Sequence, residues 1–238
     1  MTVLGGIDRR LLQNLDWPLL GSMTGLVILS ATTLSTLHVE RTSGSVALRQ
    51  LAWFAIGLVA LVVVASIDYR RLVRLAPMLY LGGLAALAAV FVVGRTVSGA
   101  RRWILLGPMS VQPSELFKVC FVLMATWVLT SRWAQPIGKT TVALTVPVLA
   151  VPALLIVKQP DLGTALLLFP VLAALLVGAG IQLRLLGGLV LAGLAATPVV
   201  WFAALREYQR ERILVFLDPF RDPLGSAYNV IQAKIAIG

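Results

Sequence analysis

Charge and cysteine are what this sequence has least of. Only 13% of its 238 residues are charged, about half the share usual in a soluble domain. The single cysteine, Cys120, leaves no internal disulfide and no cysteine-built metal site, and it falls where it simply packs. The single histidine, His38, has no partner spacing and reads as an interfacial residue. No phosphate-cradling glycine loop, nucleophile elbow or metal-ligand cluster is present, which disfavours the chemistries of soluble enzymes. No convincing internal repeat exists either, and that weakens a repeat-built transporter. The polar N-terminus, MTVLGGIDRRLLQNLDW, runs into a long apolar stretch without a small-x-small cleavage pattern. It reads as leading into a retained first helix, not a removed signal peptide.

What the sequence does have is apolar length. Hydrophobic residues make up 59% of it, and its mean hydropathy is +0.92. The fold class is therefore all-α: a polytopic membrane protein with about seven transmembrane helices, at roughly 17–37, 49–67, 77–94, 113–131, 141–157, 162–180 and 184–205. Residues 1–205 form the helical domain, with short polar loops between spans. From Arg206 onward charges, prolines and apolar residues alternate with no run long enough to cross. Residues 206–238 read as an extracellular loop with amphipathic pieces at the membrane surface.

The net charge of +10 does not indicate nucleic acid, because the Lys and Arg residues sit in short loops between apolar runs. With the N-terminus cytoplasmic, inner loops carry Arg9, Arg10, Arg70, Arg71, Arg74, Arg132, Lys139 and Arg184, against Arg41, Arg49, Arg95, Arg101, Arg102 and Lys158 outside. That is a modest positive-inside bias. The outer arginines answer either a bound anion or lipid phosphates. Prolines within the apolar runs, Pro147, Pro152, Pro170 and Pro198, remove backbone donors and call for neighbouring helices to satisfy the freed carbonyls. The pairs Gly82-Gly83 and Gly187-Gly188 suit close helix packing, or are ordinary membrane-helix glycine.

Two stretches set charge where lipid should allow none: RRWILLGPMSVQPSELFK, Arg101 to Lys118, and KQPDLGTA, Lys158 to Ala165. Each has Gln-Pro followed within two residues by an acid, Glu115 or Asp161, at the mouth of a long apolar run; no other carboxylate is expected in such a place. Proline suits the first helical position and acids suit the first turn. One span separates the two starts, so both face the same side of the membrane whichever way the protein is oriented. Glu115 and Lys118 share a helix face, and Lys158 and Asp161 straddle the other start. Such charges either form a structural pair, with Asp161 as a cap, or converge with Arg101 and Arg102 on an anionic substrate.

GARRWI at Gly99 to Ile104, QPSE at Gln112 to Glu115 with Lys118 after it, QPDLGTA at Gln159 to Ala165, and YQRERI with LDPFRDPLGSAYNVIQAKIAIG at the end together resemble the SEDS proteins, the rod-shape branch most closely. The resemblance covers essentially the whole chain. It implies a fold of about ten helices with both ends cytoplasmic, of which this is the N-terminal part. It implies a peptidoglycan glycosyltransferase in the inner membrane of a bacterium, joining lipid II units into a growing glycan strand beside a class B penicillin-binding transpeptidase. The family's usual essential base, in a His-Thr-Asp-like segment further along the outer loop, is not among these residues. By the same resemblance Arg101 and Arg102, with Arg49, bind the diphosphate, and Gln112, Ser114, Gln159 and Lys158 complete the substrate site. Glu115 and Lys118 shape the cavity floor, and Asp161 organises the second helix start or binds the sugar or a divalent ion. Rival expectations are a lipid II flippase and a non-catalytic membrane scaffold.

Overall fold

The computed structural model describes residues 16–36, 43–97, 100–106, 109–131, 138–199, 201–202, 205, 207–218, 220 and 228–237. The N-terminal segment, His38, Arg41 and Arg132 lie outside them. The described chain is helical throughout except for one small sheet: α1 Trp17–Thr36, α2 Ser43–Ala65, α3 Tyr69–Val93, β1 Arg95–Val97, β2 Ala100–Leu106, β3 Met109–Val111, α4 Pro113–Thr130, α5 Lys139–Lys158, α6 Leu162–Gly178, α7 Leu183–Val199, α8 Glu207–Leu217 and α9 Tyr228–Ile237.

Seven helices, α1 to α7, lie where the apolar runs predict them. Five of them, α1 to α5, are long and apolar enough to cross a bilayer. Helices α6 and α7 have 17 residues each, at the lower end of the spanning range. Helices α8 and α9 are the short pieces of the last stretch.

Contacts divide the chain into two compact units, Met1–Leu72 and Val73–Gly238. In the first, α1 packs along α2, yet Leu26 and Leu29 of α1 remain 67% and 64% exposed. Apolar faces so open suit a lipid environment, as expected of helices long and apolar enough to span. Asp16 accepts from the Leu19 N–H at 3.0 Å and Asp68 from the Arg70 N–H at 2.9 Å. Glu115 and Asp161 are therefore not the only carboxylates at the mouths of apolar helices: α1 and α3 also begin at an aspartate, which satisfies N–H groups that have no partner within the helix.

The core lies in the second unit, where Leu87, Phe117, Phe121, Ile156, Leu168 and Leu176 from α3, α4, α5 and α6 are all but inaccessible. Two features bind these helices closely. Gly83 lets α3 approach α4, since a Cβ there would lie 2.7 Å from Phe117 Cδ2. Gly82, Gly187 and Gly188 have no neighbouring atom within 4 Å of such a Cβ, so of the two glycine pairs one residue makes a close approach. Pro152, inside α5, has no N–H to give the Val148 carbonyl one turn back. The Tyr80 hydroxyl of α3 donates to that carbonyl instead, at 2.9 Å.

The stretch between α3 and α4 is not the irregular loop the sequence suggests. It forms a three-stranded antiparallel sheet, β1-β2-β3, with Arg95 opposite Trp103 and Thr96 opposite Arg101, and an irregularity in register between Arg95 and Thr96. Ile104 pairs with Val111 across β2 and β3. This sheet leads directly into the start of α4.

Candidate functional site

Helix α4 begins as its sequence dictates: Pro113 occupies the first helical position and Gln112 the cap. Gln112 makes no side-chain cap of its own helix. Its amide donates both hydrogens elsewhere, one to Ser114 Oγ at 2.9 Å and one to Asp161 Oδ2 at 2.7 Å. Ser114 is fully buried. The second start differs from the first, because Pro160 precedes the helix and Asp161 is the cap of α6, the capping role that one reading of its sequence assigns. Its Oδ1 accepts from the Thr164 N–H at 3.3 Å. Aspartate competes successfully for that position because a short carboxylate reaches the free N–H groups of the first turn, while proline caps nothing with its side chain.

The turn joining α5 to α6 is tight. The Gln159 N–H donates to Leu155 and Ile156 carbonyls, and the Asp161 N–H also donates to Ile156. One carbonyl thus closes α5 and fixes where α6 begins. The Gln159 side chain is 1% exposed and donates Nε2 to the Leu87 carbonyl of α3 at 2.8 Å. Gln159 is consequently part of the packing between helices, and its Oε1 is buried without a partner.

Consecutive residues on a strand face opposite ways, and β2 separates the two arginines accordingly. Arg101 turns to the end of α3, where its Nε, Nη1 and Nη2 donate to the carbonyls of Gly94, Phe91 and Val92 at 2.6, 2.8 and 3.1 Å. Arg102 turns to Asp161, with Nη1 3.8 Å from Oδ1, and its Nε is buried without a hydrogen-bond partner. At 3.8 Å the pair attracts through charge but does not form a hydrogen bond. The Arg102 guanidinium therefore keeps donors to offer.

Of the other expected site residues, Glu115 and Lys118 pair with each other at 2.8 Å on the exposed side of α4. Lys158 is exposed at the end of α5. Arg49 is exposed on α2, in the first unit. The structure thus brings Arg102, Gln112, Ser114 and Asp161 into one cluster. Thr164 joins it, and the Asp-x-x-Thr spacing at the start of an apolar run is the signal that could have found it. A divalent ion fits poorly here, since Asp161 is the cluster's one carboxylate and already faces a guanidinium. Apart from this cluster, a cavity of about 490 Å³ among α5, α6 and α7 is lined by apolar side chains and Thr145.

Long apolar helices, two parallel helix starts joined by a glutamine and an arginine held against an aspartate define a multi-pass membrane protein with a polar site at one end of its bundle. The chain belongs to the cell cycle protein family of FtsW, RodA and SpoVE, whose pattern matches residues 11–238. It is a bacterial membrane protein of the SEDS fold. It is 37% identical to the peptidoglycan glycosyltransferase MrdB of Escherichia coli over 216 residues, 90% of this chain and 58% of that one. Among solved structures, a chain described under structural coordination of polymerization and crosslinking by a peptidoglycan synthase complex superposes with a TM-score of 0.76 at 36% identity, covering 94% of this chain and 66% of that one. The rod shape determining protein RodA of Thermus thermophilus gives 0.66 at 30%, covering 80% and 61%. The chain spans 58% of the length of the E. coli relative.

Proposed function

We propose that the protein is a peptidoglycan glycosyltransferase that joins lipid II disaccharide units into glycan strands at the outer face of the bacterial inner membrane. The observation that carries this reading is the Arg102–Asp161–Gln112 cluster at the mouths of two parallel helices. In glycosyl transfer an acceptor hydroxyl attacks the anomeric carbon, the bond to the diphosphate breaks, and the hydroxyl proton passes to a base. Cations hold the departing diphosphate, and a carboxylate takes the proton.

Arg102 suits the diphosphate because its Nη groups are not hydrogen-bonded to Asp161, and a guanidinium fork matches phosphate oxygens. Lys158, at the end of α5, supplies further positive charge. Asp161 suits an organising role better than that of base, since Gln112, Thr164 and Arg102 all address its two oxygens. Glu115 and Lys118 form the charged flank of the α4 start. Arg101 is occupied by the end of α3 and serves the site by placement. The SEDS resemblance supports an N-terminus in the cytoplasm and a class B penicillin-binding transpeptidase as partner.

The test is polymerisation of fluorescent lipid II by the full-length protein reconstituted in lipid. Glycan product from the wild type, reduced at least about tenfold in Arg102→Ala, is the expected result. A wild type that moves lipid II between leaflets yet makes no glycan would replace this reading with the flippase.

A further inference from the structure

We propose that the carboxyl end of α3 is the common anchor that sets the separation of Arg102 and Asp161, with Arg101 and Gln159 as its two positioning residues. Two ties reach α3, one from the adjoining strand β2 and one from the α5–α6 turn 72 residues further along. The first is the Arg101 fork on Phe91, Val92 and Gly94. A helix leaves its last carbonyls without partners and its end partly negative, so a guanidinium there satisfies both needs. Gly94 completes the cap: its N–H donates to the Val90 carbonyl at 2.9 Å, and a Cβ at this position would collide with the same oxygen. Because Arg101 and Arg102 are neighbours on β2, fixing the first side chain aims the second.

The other tie is Gln159, buried to 1% exposure with its amide on the Leu87 carbonyl at 2.8 Å. It stands two residues before Asp161, in the turn that places that carboxylate. Its Oε1 finds no partner, an unusual state for a buried acceptor. The side chain is thus committed to α3 even though half its polar capacity goes unused. Arg102 rides on β2 and Asp161 on the α5–α6 turn, and both supports are fastened to the last two turns of one helix.

The kinetic part of the test rests on the glycosyltransferase reading; the exchange part does not. Full-length Arg101→Lys, Gln159→Met and the double variant are reconstituted in lipid and followed by lipid II polymerisation and by backbone hydrogen exchange. Each single variant is expected to lower kcat by about tenfold to a hundredfold, the cost of a small misplacement, with KM for lipid II within about twofold. The double variant should lose less than the product of the singles, since both act on one separation. Exchange should quicken in 159–166 for Gln159→Met and in 100–106 for Arg101→Lys, and stay unchanged in α1 and α2. Gln159→Asn, an amide about one methylene too short, is the second variant and should behave as Gln159→Met does. A raised KM with kcat and exchange unchanged makes Arg101 or Gln159 a substrate contact and overturns the proposal, as does wild-type behaviour in both measurements. If the wild type forms no glycan, the functional reading falls alone, and unchanged exchange at these segments still overturns the anchor.

Discussion

Gln112 and Asp161, 49 residues apart in sequence, share a hydrogen bond of 2.7 Å. With it the start of α4 and the start of α6 become one structure, and the same amide holds Ser114 in place. Removing it in Gln112→Ala leaves Asp161 Oδ2 without its donor, at a cost of about 1–3 kcal/mol. In a protein of this size each kcal/mol lowers Tm by about 2–4 °C. Thermal unfolding in detergent should show a drop of several degrees, larger in Gln112→Glu, where a second carboxylate meets Asp161.

Asp161→Asn and Asp161→Ala separate charge from capping. Asparagine caps a helix as well as aspartate does, whereas alanine loses about 1 kcal/mol. Both variants deprive Arg102 of its partner. Polymerisation of lipid II should fall at least about tenfold in each, and Tm should fall further in the alanine variant. Equal activity in wild type and Asp161→Asn would remove the carboxylate from the proposed site.

Tyr80→Phe removes one oxygen and opens the carbonyl left free by Pro152. Interhelical hydrogen bonds in membranes contribute about 0.6 kcal/mol on average and at most about 1.7, and the loss should fall in that range. Pro152→Ala restores an N–H for Val148 within α5. In that background Tyr80→Phe should cost nothing measurable, and a double-mutant cycle in detergent unfolding reads the difference. Equal costs in both backgrounds would show that Tyr80 acts by its ring alone.

Gly82 and Gly83 should part company. Gly83→Ala drives a methyl against Phe117, and overpacking of this kind costs about 1–3 kcal/mol. Gly82→Ala meets nothing within 4 Å and should be neutral or slightly stabilising, because alanine is the better helix former. Phe117→Leu should recover part of the Gly83→Ala loss. Unfolding midpoints of the four proteins decide it.

The helices were legible because a membrane span announces itself by length alone, and α1 to α7 fall within a few residues of the apolar runs, apart from the earlier start of α2 and α3 and the earlier end of α7, at Val199 against the expected 205. The beginning of α3 runs ahead because polar residues such as Arg70 and Arg71 can occupy a helix end that no longer lies among lipid tails. The sheet from Arg95 to Val111 was not legible as a sheet. Arg101-Arg102-Trp103-Ile104-Leu105-Leu106 breaks the alternation that marks a strand, although Ser98-Gly99 and Gly107-Pro108 are turn dipeptides that could have divided it into three. Without the sheet, two adjacent arginines look alike. Only the alternation of β2 reveals that Arg101 serves a helix end while Arg102 faces a carboxylate. The shared orientation of the Gln112 and Asp161 starts followed from counting spans, but the hydrogen bond between them depends on how close α4 and α6 pack, which spacing along a chain does not encode.

The bond from Tyr80 to Val148 also bears on how the protein is made. Helix α5 emerges from the ribosome with a carbonyl that lacks its usual donor one turn on, because that position is Pro152, and in bare hydrocarbon an unsatisfied group costs several kcal/mol. Synthesis from the N-terminus delivers α3 first, so the hydroxyl is already in the bilayer when α5 arrives. A circular permutant that begins at α4 would reverse that sequence, and its α5 would have to wait in the insertion machinery, or stay partly unwound, until α3 was translated.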